Sequence, residues 1–283
     1  MTLQVVATGP SVLVQDLGRL GWAHLGVPRS GALDLPAAGL ANRLVGNPAE
    51  AACLEVLLGG LALSAERGVW VAVTGAACEV VVDGRQREFG SAVRVAAGET
   101  LRLGRPASGL RTYVAVAGGI TVEPVLGSRS TDTLGQVGPP PVRVGDVLPV
   151  GESARAPVAV DTPRPPSAGP LRLLAGPRAD RVVGDAVDLL CRTSYTVSPD
   201  SDRIGLRLLG DPLPLATTDE LPSEGMVLGA VQVPPDGRPV VFLADHPTTG
   251  GYPVVAVVDE RDLWQCAQVR PGERVTFTPA ARR

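Results

Sequence analysis

Lysine is absent: all 26 members of the Lys+Arg class in this 283-residue chain are arginine. The absence removes a Walker lysine, a Schiff-base lysine and a biotin attachment point, so any such group has to come from a partner. A GC-rich coding sequence would give the same result, and the lack of lysine is therefore not in itself a functional sign. Histidine is scarce too, with only His24 and His246, too few for a typical metal cluster, and no metal is expected. The four cysteines, Cys53, Cys78, Cys191 and Cys266, lie far apart without a C-x-x-C pair. That spacing argues against a zinc site or a redox dithiol and leaves buried free thiols as the expectation. Formal net charge is −3 with no basic stripe, which excludes the cationic footprint that nucleic acid or an anionic membrane selects. No stretch reaches the ~18 apolar residues of a membrane span, and the opening "MTLQVVATGPSV" lacks a charged leader region. A cytoplasmic protein is expected.

Glycine and proline are plentiful at 34 and 27 residues, while 45% of the chain is hydrophobic. That combination describes a turn-rich, mainly β protein rather than a disordered one. Val-rich runs bounded by Gly, Pro and Asp, such as "GVWVAVTG", "CEVVVDG", "RPVVFLAD" and "PVVAVV", read as buried strands. Their regular spacing predicts a barrel or sandwich in each half. "LQVVATGP" near the start is echoed by "LRLLAGP" at 171–177, and "GETLRLG" at 98–104 by "GERVTF" at 272–277, a hint of internal duplication. Between the halves, "GESARAPVAVDTPRPPSAGP" at 151–170 carries five prolines and is the expected linker, separating domains at 1–150 and 171–283. Few helices are expected. One covers 34–46, with Asp34 as N-cap, Pro36 in the first turn and a stop at Gly46-Asn47-Pro48; another begins at Asp259 and covers 259–269.

Polar residues interrupt the β pattern in a few places. The stretch 14–34 holds Gln15, Asp16, Arg19, His24 and Arg29, readable as a ligand loop or as a loop stitched by Asp-Arg pairing. "GSRSTDT" at 127–133 offers Ser128, Arg129, Ser130 and Thr131, able to hold a carboxylate or phosphate, or to be a plain polar loop. In the second half Arg203, Glu224, Gln232 and Asp245 each stand beside a strand and would meet if those strands shared one barrel mouth. The stretch "DHPTTGGYPVVAVV" at 245–258 has two readings. Pro247 and Gly250-Gly251 can simply turn the chain. Alternatively the glycines take positive φ and aim N–H groups at a ligand, with Thr248 and Thr249 as further donors, Asp245 as base and Tyr252 as acid or orienting hydroxyl.

Taken in order, "VQDLGRLGWAHLGVPRSGALD", "ANRLVGNPAEAACLE", "YVAVAGGI", "LGSRSTDT", "SDRIGLRL", "SEGMVLGAVQVPPDGRPV" and "LADHPTTGGYPVVAVV" resemble the carboxyltransferase-domain family called allophanate hydrolase subunit 2, over nearly the whole chain. Its members include the C subunit of bacterial 5-oxoprolinase, the antagonist of a sporulation-kinase inhibitor, and the carboxyltransferase half of urea carboxylase. The resemblance implies a pair of cyclophilin-like β-barrel domains and a hetero-oligomer with a smaller homologous subunit, with a third subunit possible. It implies one subunit of an ATP-dependent 5-oxoprolinase, opening 5-oxoproline to glutamate with ATP handled by the complex. The alternatives are a biotin-dependent urea or amide carboxyltransferase, supplied with carboxybiotin in trans, and a regulatory module that binds its partner subunit. On the first reading Asp245, Arg203, Tyr252 and Glu224 are the expected catalytic residues. Gln232, Thr248, Thr249, Gly250, Gly251, Ser128, Arg129, Gln15 and Asp16 are the expected substrate contacts.

Overall fold

The computed structural model describes residues 1–153, 157, 167–217, 219 and 221–281. The expected linker at 151–170 lies largely outside them. The fold is mainly β, as the strand pattern predicts, and it divides into two compact units. The units are not two contiguous stretches. Residues Leu20–Arg29 and Thr133–Gly135 belong to the second unit with the C-terminal chain, while Met1–Arg19, Ser30–Asp132 and the stretch from Gln136 onward form the first.

The first unit contains β1 (Thr2–Ala7), β2 (Ser11–Gln15), α1 (Leu35–Leu44), β3 (Cys53–Leu57), β4 (Ala62–Ala65), β5 (Val69–Gly75), β6 (Val80–Val82), β7 (Arg85–Arg87), β8 (Ala92–Val95), β9 (Thr100–Leu103), β10 (Arg111–Val116) and β11 (Val147–Pro149). They make two antiparallel sheets, ordered β11-β1-β4-β9-β6-β7 and β2-β3-β10-β5-β8. Strand β10 explains how the layers assemble, because all six of its residues are buried. By the two-residue alternation of a strand, Val114 and Val116 enter the core shared by both sheets, and Tyr113 and Ala115 enter a second cluster under α1. Burying a valine such as Val114 or Val116 is worth about 1.5–3 kcal/mol.

Helix α1 starts as its sequence predicts. The Asp34 carboxylate accepts from Ala37 N at 3.0 Å, with Pro36 in the first turn. Its Ala38, Ala41 and Leu44 bury against Ala72, Tyr113 and Ala115. A buried polar chain ties the helix start to the sheet. Asp34 N donates to the Tyr113 hydroxyl (2.8 Å), which donates to Glu55 Oε2 (2.8 Å), an oxygen that also accepts from Leu33 N (3.0 Å). Arg111 Nε lies 3.3 Å from the other oxygen of Glu55.

The second unit contains β12 (Leu171–Ala175), α2 (Ala186–Arg192), β13 (Tyr195–Val197), β14 (Gly205–Leu209), β15 (Glu224–Gly225), β16 (Ala230–Gln232), β17 (Val240–Phe242), β18 (Thr249–Gly250), β19 (Val254–Val258), α3 (Leu263–Cys266), β20 (Arg274–Val275) and β21 (Phe277–Pro279). Eight strands form one sheet in the order β20-β13-β14-β17-β16-β19-β12-β21, parallel only between β12 and β21. Strands β15 and β18 form a separate two-stranded ribbon. The helix expected over 259–269 is shorter than its sequence predicts. A 3-10 turn at Glu260–Asp262, capped by the Asp259 carboxylate, leads into the four residues of α3. Asp262 accounts for part of this, because its carboxylate faces away to grip Arg172 at N (2.9 Å) and Nε (2.7 Å). Helix α2 has no counterpart in the sequence expectations; Asp185 caps it by accepting from Asp188 N at 2.8 Å.

All four cysteines are free, and Cys53 and Cys266 are buried. Burial pushes the Cys266 thiol up to about 12 and Cys53 well above the ordinary thiol range, so both are inert at neutral pH. No helix among the described residues is long and apolar enough to cross a membrane, and none of their His, Cys, Asp and Glu side chains gather into a metal-binding group.

Candidate functional site

The sequence-predicted site residues gather around Asp16 in the first unit and around Asp245 and the β15-β18 ribbon in the second. In the first, everything centres on Asp16. Its Oδ1 accepts from Gly18 N (2.8 Å), Ser128 Oγ (2.6 Å) and Ser130 Oγ (2.6 Å), and its Oδ2 from Arg129 N (2.6 Å). Ser130 Oγ also accepts from Asp16 N at 3.0 Å, closing a reciprocal clasp. The loop at 127–133 thus does hold a carboxylate, and the carboxylate is the protein's own. The Ser128 hydroxyl and the Arg129 main-chain N–H, expected as donors to a ligand, are thus engaged within the loop. Arg129 Nε instead donates to Val122 O (2.7 Å), inside its own loop. The stitching expected for 14–34 is present but runs through hydroxyls and main chain. Arg19 Nη2 donates to Ser130 O, and Gln15 Nε2 donates to Thr131 O (2.9 Å). Gln15 is fully buried, so it too braces this loop.

In the second unit, Arg203 and Asp245 form a two-pronged pair, Nε to Oδ2 at 2.9 Å and Nη2 to Oδ1 at 3.1 Å. Thr133 adds its N (3.0 Å) and Oγ1 (2.6 Å) to Oδ2 of the same carboxylate. Burial alone would raise the Asp245 carboxyl. Arg203 and the two donors of Thr133 outweigh it and hold the group below the ordinary carboxylate range. The carboxylate expected to act as a base therefore has four donors on it and a lowered proton affinity. The same pairing neutralises Arg203.

Glu224 does not join this pair. It sits in the β15-β18 ribbon, gripped by Arg178 through Nε (3.1 Å) and Nη2, and Arg178 lowers its carboxyl. Gln232 lies on β16 at a register shift between Val231 and itself, and its Nε2 donates to Tyr252 O at 3.1 Å. The expected convergence of Arg203, Glu224, Gln232 and Asp245 is therefore two arrangements, one around Arg203–Asp245 and one around the ribbon.

The "TTGG" stretch is a strand edge rather than a nest. Neither Gly250 nor Gly251 has a left-handed backbone, so the expected positive φ is not there and successive N–H groups do not converge as it required. Thr249 and Gly250 instead pair with Gly225 and Glu224, and Thr248 O accepts from Met226 N at 2.9 Å. Gly250 is needed for close approach: a Cβ there would stand 2.8 Å from Gln232 Nε2 and 3.3 Å from Met226 Cε. Thr249 and Tyr252 are exposed.

Two residues of this group escape sequence reasoning. Thr133 ends the "STDT" run, which reads as part of one loop, yet it belongs with the second unit. His246 is buried, its Nδ1 2.7 Å from Pro247 O and its ring stacked on Phe242 at 5.9 Å. The "DHP" triplet is its only sequence signal.

Residues 25–279 match the family model described as carboxyltransferase domain, subdomain A and B. The chain belongs to the carboxyltransferase-domain family. Within that family it is similar to the 5-oxoprolinase C subunit of Escherichia coli, with 40% identity across 97% of this chain and 90% of the relative. Among solved structures, that of TTHA0988 superposes with a TM-score of 0.88 at 43% identity over 98% of this chain, which spans only 55% of the TTHA0988 chain. The urea amidolyase of K. lactis superposes with a TM-score of 0.91 at 29% identity, and this chain covers 19% of its length. The carboxyltransferase domain thus occurs both as a chain of nearly this length and as one part of larger polypeptides.

Proposed function

We propose that this carboxyltransferase-domain protein is the C subunit of a 5-oxoprolinase, the enzyme complex that opens 5-oxoproline to glutamate. The observation that carries the reading is the likeness to the 5-oxoprolinase C subunit of Escherichia coli along 90% of that relative's length. The complex is ATP-dependent and cytoplasmic, and this chain works in it as a hetero-oligomer with a smaller homologous subunit and a third component. Free thiols fit a reducing compartment. ATP is handled by the complex, and because this chain has no lysine, any Walker-type lysine comes from a partner. This chain's contribution is a site for the small substrate in the second unit, around Thr248, Thr249, Gln232 and Tyr252.

The test is reconstitution. With the partner subunits assembled, glutamate should form from 5-oxoproline only when ATP is present. An intact complex without turnover overturns the reading. The likeness to urea amidolyase keeps carboxyl transfer as the second reading. Having no lysine, this chain would then receive carboxybiotin from another polypeptide, and the assay is carboxylation of urea by a biotin carrier supplied in trans.

A further inference from the structure

The second unit holds one imidazole whose geometry is unlike that of its carboxylates. His246 is only 6% exposed. Its Nδ1 lies 2.7 Å from the carbonyl oxygen of Pro247, which can only accept, so Nδ1 carries the hydrogen. In the neutral ring the lone pair is therefore on Nε2. Phe242 stacks on the ring with 17° between the planes and fixes its orientation. Among the described residues Nε2 has no hydrogen-bond partner and is not completely sealed from solvent. The carboxylates around it are the opposite case: Asp245 and Glu224 are each clamped by an arginine.

We propose that His246 Nε2 is the proton acceptor of this site, with the Pro247 carbonyl as the group that fixes its tautomer. The proposal rests on the lactam-opening reading. With the lactam oxygen phosphorylated at the expense of ATP by the rest of the complex, Nε2 takes a proton from water as the water oxygen bonds to the ring carbon, the C=N π pair moves onto the nitrogen, and the nitrogen takes that proton from Nε2. Nε2 then takes the proton of the new hydroxyl as its oxygen forms the C=O bond, the ring C–N bond breaks with its pair on nitrogen, and the nitrogen takes the proton back. A second water releases phosphate from the acyl phosphate, so lactam, ATP and two waters become glutamate, ADP and phosphate, and the imidazole ends as it began. Two charged groups act on the ring, Asp245 and Arg29. Burial lowers the ring's proton affinity and Arg29 lowers it further, outweighing Asp245 and the Pro247 carbonyl. The ring is thus neutral and able to accept at neutral pH.

The experiment uses the assembled complex carrying His24→Gln, which leaves residue 246 as the chain's single histidine. Diethyl pyrocarbonate should add one carbethoxy group at residue 246, read by mass, and 5-oxoproline should slow the addition several-fold. His246→Asn keeps a donor where Nδ1 stands and lacks the base. It should assemble and lower kcat by about 10²–10⁴-fold with little change in KM, and free imidazole should restore part of the rate. An unreactive His246 in an active complex, or wild-type kcat in His246→Asn, overturns the proposal alone. A reactive His246 in a complex that never opens 5-oxoproline overturns the lactam-opening reading and the proton transfer with it. Should His246→Asn fail to assemble, imidazole ¹⁵N shifts of the wild-type complex decide: a protonated Nε2 in the neutral ring overturns the assignment.

Discussion

Arg203 closes a two-pronged pair on Asp245, Nε to Oδ2 at 2.9 Å and Nη2 to Oδ1 at 3.1 Å, with the carboxylate wholly buried. Either charge left alone in that place is costly. Arg203→Ala and Asp245→Asn should each lower stability by about 3–5 kcal/mol, measured by urea denaturation. Replacing both at once, Arg203→Met with Asp245→Leu, should recover most of that loss. If the pair is purely structural, the double variant also keeps its turnover in the assembled complex.

The same pair makes stability depend on pH with a defined sign. The Asp245 carboxyl is lower in the folded chain than its ordinary value of 3.8. Its contribution is thus complete above that value and is lost as pH falls through the lower folded value. Denaturation curves taken between about pH 2 and pH 6 should show wild type losing stability steeply below about pH 4. Asp245→Asn, lower throughout, should lose less over the same interval.

Asp16 with Ser128 and Ser130 makes a mechanical prediction for the first unit. Asp16→Ala leaves two hydroxyls and two main-chain N–H groups without their acceptor, a loss of about 1–3 kcal/mol. Amide exchange at Arg129 and Ser130 should quicken, whereas exchange in β10 should not. A uniform change across the unit would mean that Asp16 does more than hold this loop.

Gly250→Ala tests the close approach at the ribbon. The added methyl meets Gln232 Nε2 at 2.8 Å, so Gln232 must release the Tyr252 carbonyl or the ribbon must shift. A cost of about 1–3 kcal/mol is expected, and Gln232→Ala in the same chain should relieve most of it. Additive losses would place the strain elsewhere.

Local signals in the sequence carry a long way, and pairings distant along the chain do not show. Asp34, Pro36 and Gly46 mark α1 because capping depends on neighbours within one turn. The buried runs of β5, β10 and β19 show in the same way. No local rule tells that Ser128 meets Asp16, 112 residues away, or that Thr133 meets Asp245, also 112 residues away. The hydroxyls at 127–133 are legible as acceptor-seeking donors, but not that the chain itself supplies the acceptors. Glycine misleads for a related reason. A Gly-Gly pair serves equally well for a left-handed turn and for letting a side chain such as Gln232 pass close by, and only the folded neighbours separate the two. His246 escapes notice because its decisive contact, one residue away at Pro247, leaves no periodic trace.

The parallel pairing of β12 with β21, Leu171 beside Phe277 and Leu173 beside Pro279, sets the order of events during synthesis. The ribosome delivers β12 long before β21, so one edge of β12 has to wait, unpaired, until almost the last residues of the second unit emerge. An unpaired apolar strand edge is a template for other chains. A transcript truncated before Phe277 should therefore yield a product that is sticky rather than merely unstable, recovered in aggregates with its β12 edge exposed. On that edge β21 acts as a latch.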